Sequence, residues 1–166
     1  MTAHRFSDDD AVILIGRSLL DRSLPKPCWT HAAHFAALLW MLRCRHDLLP
    51  SRDLPGIIRA YNEATGVANT DSGGYHETIT QASIRAAVAF VAAHRTLGLH
   101  ETCNRLMQSA LGDPGWLLAH WSRERLFSVQ ARRHWVAPDL LPLPPSSWPV
   151  LNLDDRLSVG VETTFS

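Results

Sequence analysis

The chain has 166 residues, of which 46% are apolar and 19% charged, and its sixteen basic and sixteen acidic side chains cancel. That length buries the core of one domain without disulfide or metal staples. A cancelled charge gives no electrostatic footprint for nucleic acid or an anionic membrane, and the longest apolar run, Ala86 to Ala93, is too short to span a bilayer.

Helical periodicity dominates to about residue 135. The first helix is expected to open at Ser7 as N-cap, with Asp8, Asp9 and Asp10 facing the positive end of the dipole and Val12, Ile13, Ile15, Leu19 and Leu20 turned inward. The prolines of "SLPKPCW" end it and mark a linker. Thr30 then caps a second helix, "HAAHFAALLWMLRCRH", whose basic residues gather at the C-terminal end. A third occupies "LPGIIRAYNEAT" and stops at Gly66, a residue suited to C′. The fourth runs from about Gly74 to Arg95, and the fifth covers "HETCNRLMQSAL" before Gly112 and Pro114 stop it. Shorter helical stretches follow in "WLLAHWSRERLFS" and "VQARRHW".

Beyond Trp135, "APDLLPLPPSSWPVLNL" carries five prolines and cannot be a helix interior. It reads as extended chain wrapped over the bundle and anchored by Leu140, Leu141, Trp148, Val150 and Leu151. The closing "VGVETTFS" either pairs as a short strand or frays. The expected architecture is all-α: one helical bundle of five to six helices over residues 1–136, and an irregular C-terminal segment, 137–166, packed on it. Cys28, Cys44 and Cys103 are odd in number and lack CxxC spacing, and the start "MTAHRFSDDD" is polar and acidic rather than signal-like. Both features predict reduced thiols and a cytoplasmic location.

Three histidines sit where apolar helical faces begin. His31 and His34 share a face of the second helix with Phe35, Leu38 and Met41, and His76 heads a face of the fourth through Ile79, Thr80, Ser83 and Ala87. Imidazole is the commonest neutral ligand for zinc, iron and copper. An HxxH pair plus one histidine from a neighbouring helix therefore predicts a site for a divalent ion, zinc slightly favoured over iron because nothing in the sequence signals redox work. Glu77 would be a fourth ligand, or a general base beside an open coordination position. Its bland alternative is the capping-box position N3 behind Gly74. A plain core role for each histidine would require each ring to be satisfied separately.

Around His76 the segment "AYNEATGVANTDSGGYHE" is dense in hydrogen-bonding side chains. Asn69 and Asp71 suit a turn, whereas Tyr61, Asn62 and Tyr75 lean towards the His76 end and are expected to shape a pocket. Arg123 and Arg125 in "HWSRERLFS" read either as a solvated helix face or as a clamp for an anionic small molecule. No GxSxG elbow appears, so no serine nucleophile is argued.

The blocks "WTHAAHFAALLW", "YNEATGVANTDSGGYHETIT" and "SRERLFSVQARRHWVAPDL" resemble the defining blocks of a family of uncharacterised bacterial proteins of similar length. The resemblance covers about two-thirds of the chain and implies a shared architecture; it implies no reaction. From the residues, the expected function is a metal-dependent small-molecule hydrolase or lyase built on His31, His34 and His76, with Glu77 and Tyr75 catalytic and Tyr61, Asn62, Arg123 and Arg125 on the substrate. The alternatives are a metal-free small-molecule binder and a non-catalytic interaction protein using its tryptophans and proline-rich strap.

Overall fold

Asp8 rather than Ser7 caps α1 (Asp9–Leu20), its carboxylate accepting from the Ala11 N–H at 2.9 Å. The charged acceptor outcompetes the neighbouring hydroxyl, which instead donates to Asp8. Thr30 caps α2 (His31–Cys44) as its sequence position predicts, accepting from the Ala33 N–H at 3.2 Å.

The third helix, α3 (Pro50–Ala64), starts four residues ahead of the expected segment and carries Pro55 inside it. Pro55 cannot donate to the Ser51 carbonyl. The Gln81 side chain does so from the next helix, at 3.2 Å, and the helix tolerates its proline. Beyond Thr65 the chain turns through Gly66 (φ +78°), with the Val67 N–H on the Asn62 carbonyl at 2.8 Å and the Gly66 N–H on Glu63 at 3.2 Å. This is a Schellman closure. Next come α4 (Glu77–Ala93) and α5 (Leu99–Met107). The shorter helical stretch expected in "WLLAHWSRERLFS" is a 3₁₀ turn at Trp116–Ala119 followed by α6 (Arg123–Leu126), and the one expected in "VQARRHW" is α7 (Val129–Arg133). Ser122 and Ser128 each restart the chain as N-caps, offering the backbone an alternative to a continuous ladder.

The computed structural model describes residues 5–143, among which there is no β-strand. α2 is the central helix, packed against α1, α4, α5 and α3. Every residue from Ala32 to Met41 is buried except His34, so the helix is apolar all round. α4 packs on α2, α3 and α7. The all-α bundle expected from periodicity is what the chain forms.

After α7 the chain runs without helix to residue 143. Leu140 and Leu141, expected as anchors, are each 57% exposed. Buried Val136 and polar contacts hold the segment: Trp121 Nε1 donates to the Val136 carbonyl at 3.1 Å, and Asp139 accepts from the Ser122 N–H and hydroxyl at 2.7 and 2.6 Å. Trp148, Val150, Leu151 and the closing "VGVETTFS" lie outside the described residues. All three cysteines are free, with Cys103 buried and Cys28 and Cys44 exposed. No described helix is long and apolar enough to cross a membrane.

Candidate functional site

The loop between α3 and α4 is built around Asn69. Its Oδ1 accepts from the Tyr75 N–H at 3.0 Å and from Asn62 Nδ2 at 2.9 Å, while its Nδ2 donates to the Arg59 carbonyl at 3.1 Å. Gly74 sits at φ +75°, and a Cβ there would come within 2.5 Å of the Ala68 carbonyl oxygen, so the second glycine of the "GG" is required. From the far end of the chain, Arg132 donates to the Gly74 and Tyr75 carbonyls at 3.2 and 3.1 Å, and Arg133 grips Asp71 through two 2.7 Å bonds. The two polar concentrations in the sequence meet here.

His76 is the N-cap of α4. Its Nδ1 accepts from the Ile79 N–H at 3.3 Å, and its Nε2 donates to the Leu126 carbonyl at 2.8 Å. Each bond fixes the same neutral tautomer, and burial pushes the ring's pKa below its ordinary value. Glu77 is consequently the first helical residue and not the capping-box N3. Its carboxylate accepts from the Tyr75 hydroxyl at 2.6 Å and from Gln81 at 3.0 Å. Tyr75 is buried and bonded to that carboxylate, which together raise its phenol well above the ordinary range.

His31, His34 and His76 line one cavity of about 430 Å³, together with Asn62 and Tyr75. The starts of α2 and α4 therefore do lie together. Trp29, Phe35, Leu38, Ile58, Ile79 and Leu117 supply apolar wall, and Ser83 a hydroxyl. His34 is exposed within the cavity and stacked on Trp29, with ring centroids 3.7 Å apart. Burial, with a smaller contribution from His31, pushes its pKa down to about 4. At neutral pH it is an uncharged ring with one donor and one acceptor.

The remaining expected site residues are elsewhere. Tyr61 is 1% exposed and donates to the Leu24 carbonyl at 3.0 Å, placing its ring edge-on to Trp29 behind the cavity wall. Arg125 is exposed and donates to the Ala137 carbonyl at 2.7 Å, and Arg123 lies over the Phe127 ring. Neither arginine lines the cavity, and no Asp, Glu, Lys or Arg among the described residues does. Trp29 carried no signal in the sequence, since a linker tryptophan has no helical periodicity to place it.

A three-histidine ion site needs a free nitrogen from each ring. Both nitrogens of His76 are engaged, and His31 Nε2 donates to the Leu111 carbonyl at 2.7 Å. Among the described residues no group of three His, Cys, Asp or Glu side chains is placed to hold a metal ion. The three rings do not offer three open nitrogens as folded: His31 keeps Nδ1 and His34 both of its nitrogens, but the α4 cap and the Leu126 carbonyl take both of His76's, so the expected three-histidine zinc or iron set lacks its third ligand. No family model matches the chain, and neither a curated protein nor a solved structure matches it.

Proposed function

We propose that this chain binds a small organic molecule, without a metal ion, in the cavity between the starts of α2 and α4. The observation that carries the reading is His34. It alone interrupts the buried run of the central helix, and it lines the cavity with no hydrogen-bond partner for either ring nitrogen among the described residues. The ring is exposed within the cavity, and a ligand group there would pair with its nitrogens in place of water while covering the apolar wall around it. The size and the mixture of apolar wall with a few polar groups are those of small-molecule sites.

Binding is favoured over proton-transfer catalysis on the same grounds. A base whose conjugate acid has a pKa of about 4 is far from the value that suits turnover at neutral pH. Neither neighbouring titratable group is open for such a role: His76 is spent on its cap, and Glu77 is held by Tyr75 and Gln81.

Phenol serves as the probe. It is expected to raise the melting temperature and to move the His34 ring signals in NMR. Val67→Trp, which places an indole into the cavity from a half-buried loop position, is expected to remove both effects while the circular dichroism spectrum is retained. No response of His34 to phenol in the wild-type chain would count against the site. Stoichiometric zinc or iron(II) is expected to leave the melting temperature unchanged; a metal-induced rise abolished by His31→Ala would restore the metal reading.

A further inference from the structure

We infer that the ligand class of this cavity is an uncharged aromatic molecule that donates a hydrogen bond, an N–H heterocycle or a phenol, with its donor directed at Asn62 and His31. This rests on the binding reading above and specifies it.

The argument follows the protons. Asn69 is fixed in orientation by two backbone groups, since its Oδ1 must face the Tyr75 N–H and its Nδ2 the Arg59 carbonyl. Asn62 therefore has to present its amino group to Asn69 Oδ1, which leaves Asn62 Oδ1 as its unused atom. His31 is settled in the same way. The Leu111 carbonyl can only accept, so Nε2 carries the proton and Nδ1 of the neutral ring carries a lone pair. No buried side-chain nitrogen or oxygen among the described residues lacks a partner. Neither unused atom is therefore sealed in the core, and both residues line the cavity. His31 Nδ1 can thus only accept and Asn62 Oδ1 is an open acceptor beside the amide's second N–H, while His34 and Ser83 can adapt to either role.

Among the described residues, no Asp, Glu, Lys or Arg side chain lines the wall. The charged groups next to it are engaged outside: Arg59 lies over the Tyr75 ring at 4.2 Å, Arg132 holds two carbonyls, and Glu77 accepts from Tyr75. A cation would meet acceptors but no carboxylate, in a space whose enclosure already drives His34 to its neutral form. An anion would meet the lone pairs of His31 Nδ1 and Asn62 Oδ1 and, among the described residues, no cationic side chain lining the cavity. The ring-rich wall, with Trp29, Phe35, Tyr75 and the three imidazoles, favours a flat aromatic body.

One scaffold tests every element of the proposal: indole, 1-methylindole, indole-3-carboxylate and tryptamine, titrated into the full chain by calorimetry with the His34 ring followed by NMR. Indole is expected to bind at least ~10-fold more tightly than 1-methylindole, the factor for one unpaired acceptor, and more tightly than either charged analogue. Equal binding of indole and 1-methylindole, with His34 perturbed by both, would overturn the donor rule and leave the binding reading standing. Tightest binding by the carboxylate or the amine would overturn the uncharged class. If none of the four perturbs His34, this inference and the binding reading fall together.

Discussion

His76 and His34 show how one residue type takes opposite roles according to what its nitrogens meet. The His76 ring is a structural joint: protonating Nδ1 would aim a hydrogen at the Ile79 N–H and remove the α4 cap. Arg132 nearby also disfavours the charged ring, and the Glu77 carboxylate only partly opposes it. His34 lacks such bonds and is kept neutral by its enclosure and by His31. For both rings the folded state binds protons less readily than the unfolded chain, whose histidines titrate near 6.5. Stability from this source is complete above about pH 6.5 and is lost as pH falls towards 4, because there the unfolded state takes up more protons. Urea midpoints measured from pH 7.5 downward are expected to fall across that interval, above the region where lowered carboxylates such as Asp47 and Asp139 titrate. His34→Gln and His76→Asn should each flatten the fall, the asparagine retaining a capping acceptor. A midpoint that does not change between pH 6.5 and 4.5 would contradict the neutral assignment of both rings.

At the level of elements, the start of α4 is the joint on which the C-terminal helices rest. His76 holds the Leu126 carbonyl, and Thr78 Oγ1 donates to the His134 carbonyl at 2.9 Å while accepting from the Val136 N–H at 3.2 Å. Thr78 is fully buried. Thr78→Val keeps the shape and removes the hydroxyl, leaving a buried donor and acceptor unmatched. A loss of about 2–3 kcal/mol in urea unfolding is expected, and a loss under about 0.5 kcal/mol would show that the tail is held by other means. Helix existence and type were legible here from periodicity and caps such as Thr30. The boundaries of α3 and α4 were not, for a reason seen at Pro55 and His76. Pro55 stays in its helix because Gln81, on another helix, takes up the carbonyl it abandons. His76 becomes a cap because the Leu126 carbonyl fixes its tautomer. Neither partner is near in sequence.

For the molecule as a whole, the loop 69–75, the cavity wall and the C-terminal helices form a single mechanical unit. Arg132 and Arg133 clamp the loop that carries Gly74 and Tyr75 into the wall, and Trp121, fully buried, ties α6 to Val136. Unfolding in urea is therefore expected to be one transition, with helix content and tryptophan fluorescence changing together. A tryptophan transition preceding loss of helix would show the C-terminal helices undocking on their own.

The sequence by itself determined the helical architecture of the described residues and put His31, His34 and His76 at helix starts, because apolar spacing and caps are local properties of the chain; that the two starts lie together was decided by the packing of α4 on α2. It also marked Asn62 and Tyr75 as pocket residues. The tertiary structure alone decided what those rings are free to do. Whether an imidazole nitrogen is a ligand, a cap or an open lone pair depends on the carbonyl or N–H opposite it. For His31 and His76 those groups are Leu111 and Leu126, eighty and fifty residues away. A hydrogen-bond partner at that separation leaves no periodicity in the sequence, and it is this pairing that engages both nitrogens of His76 and one of His31.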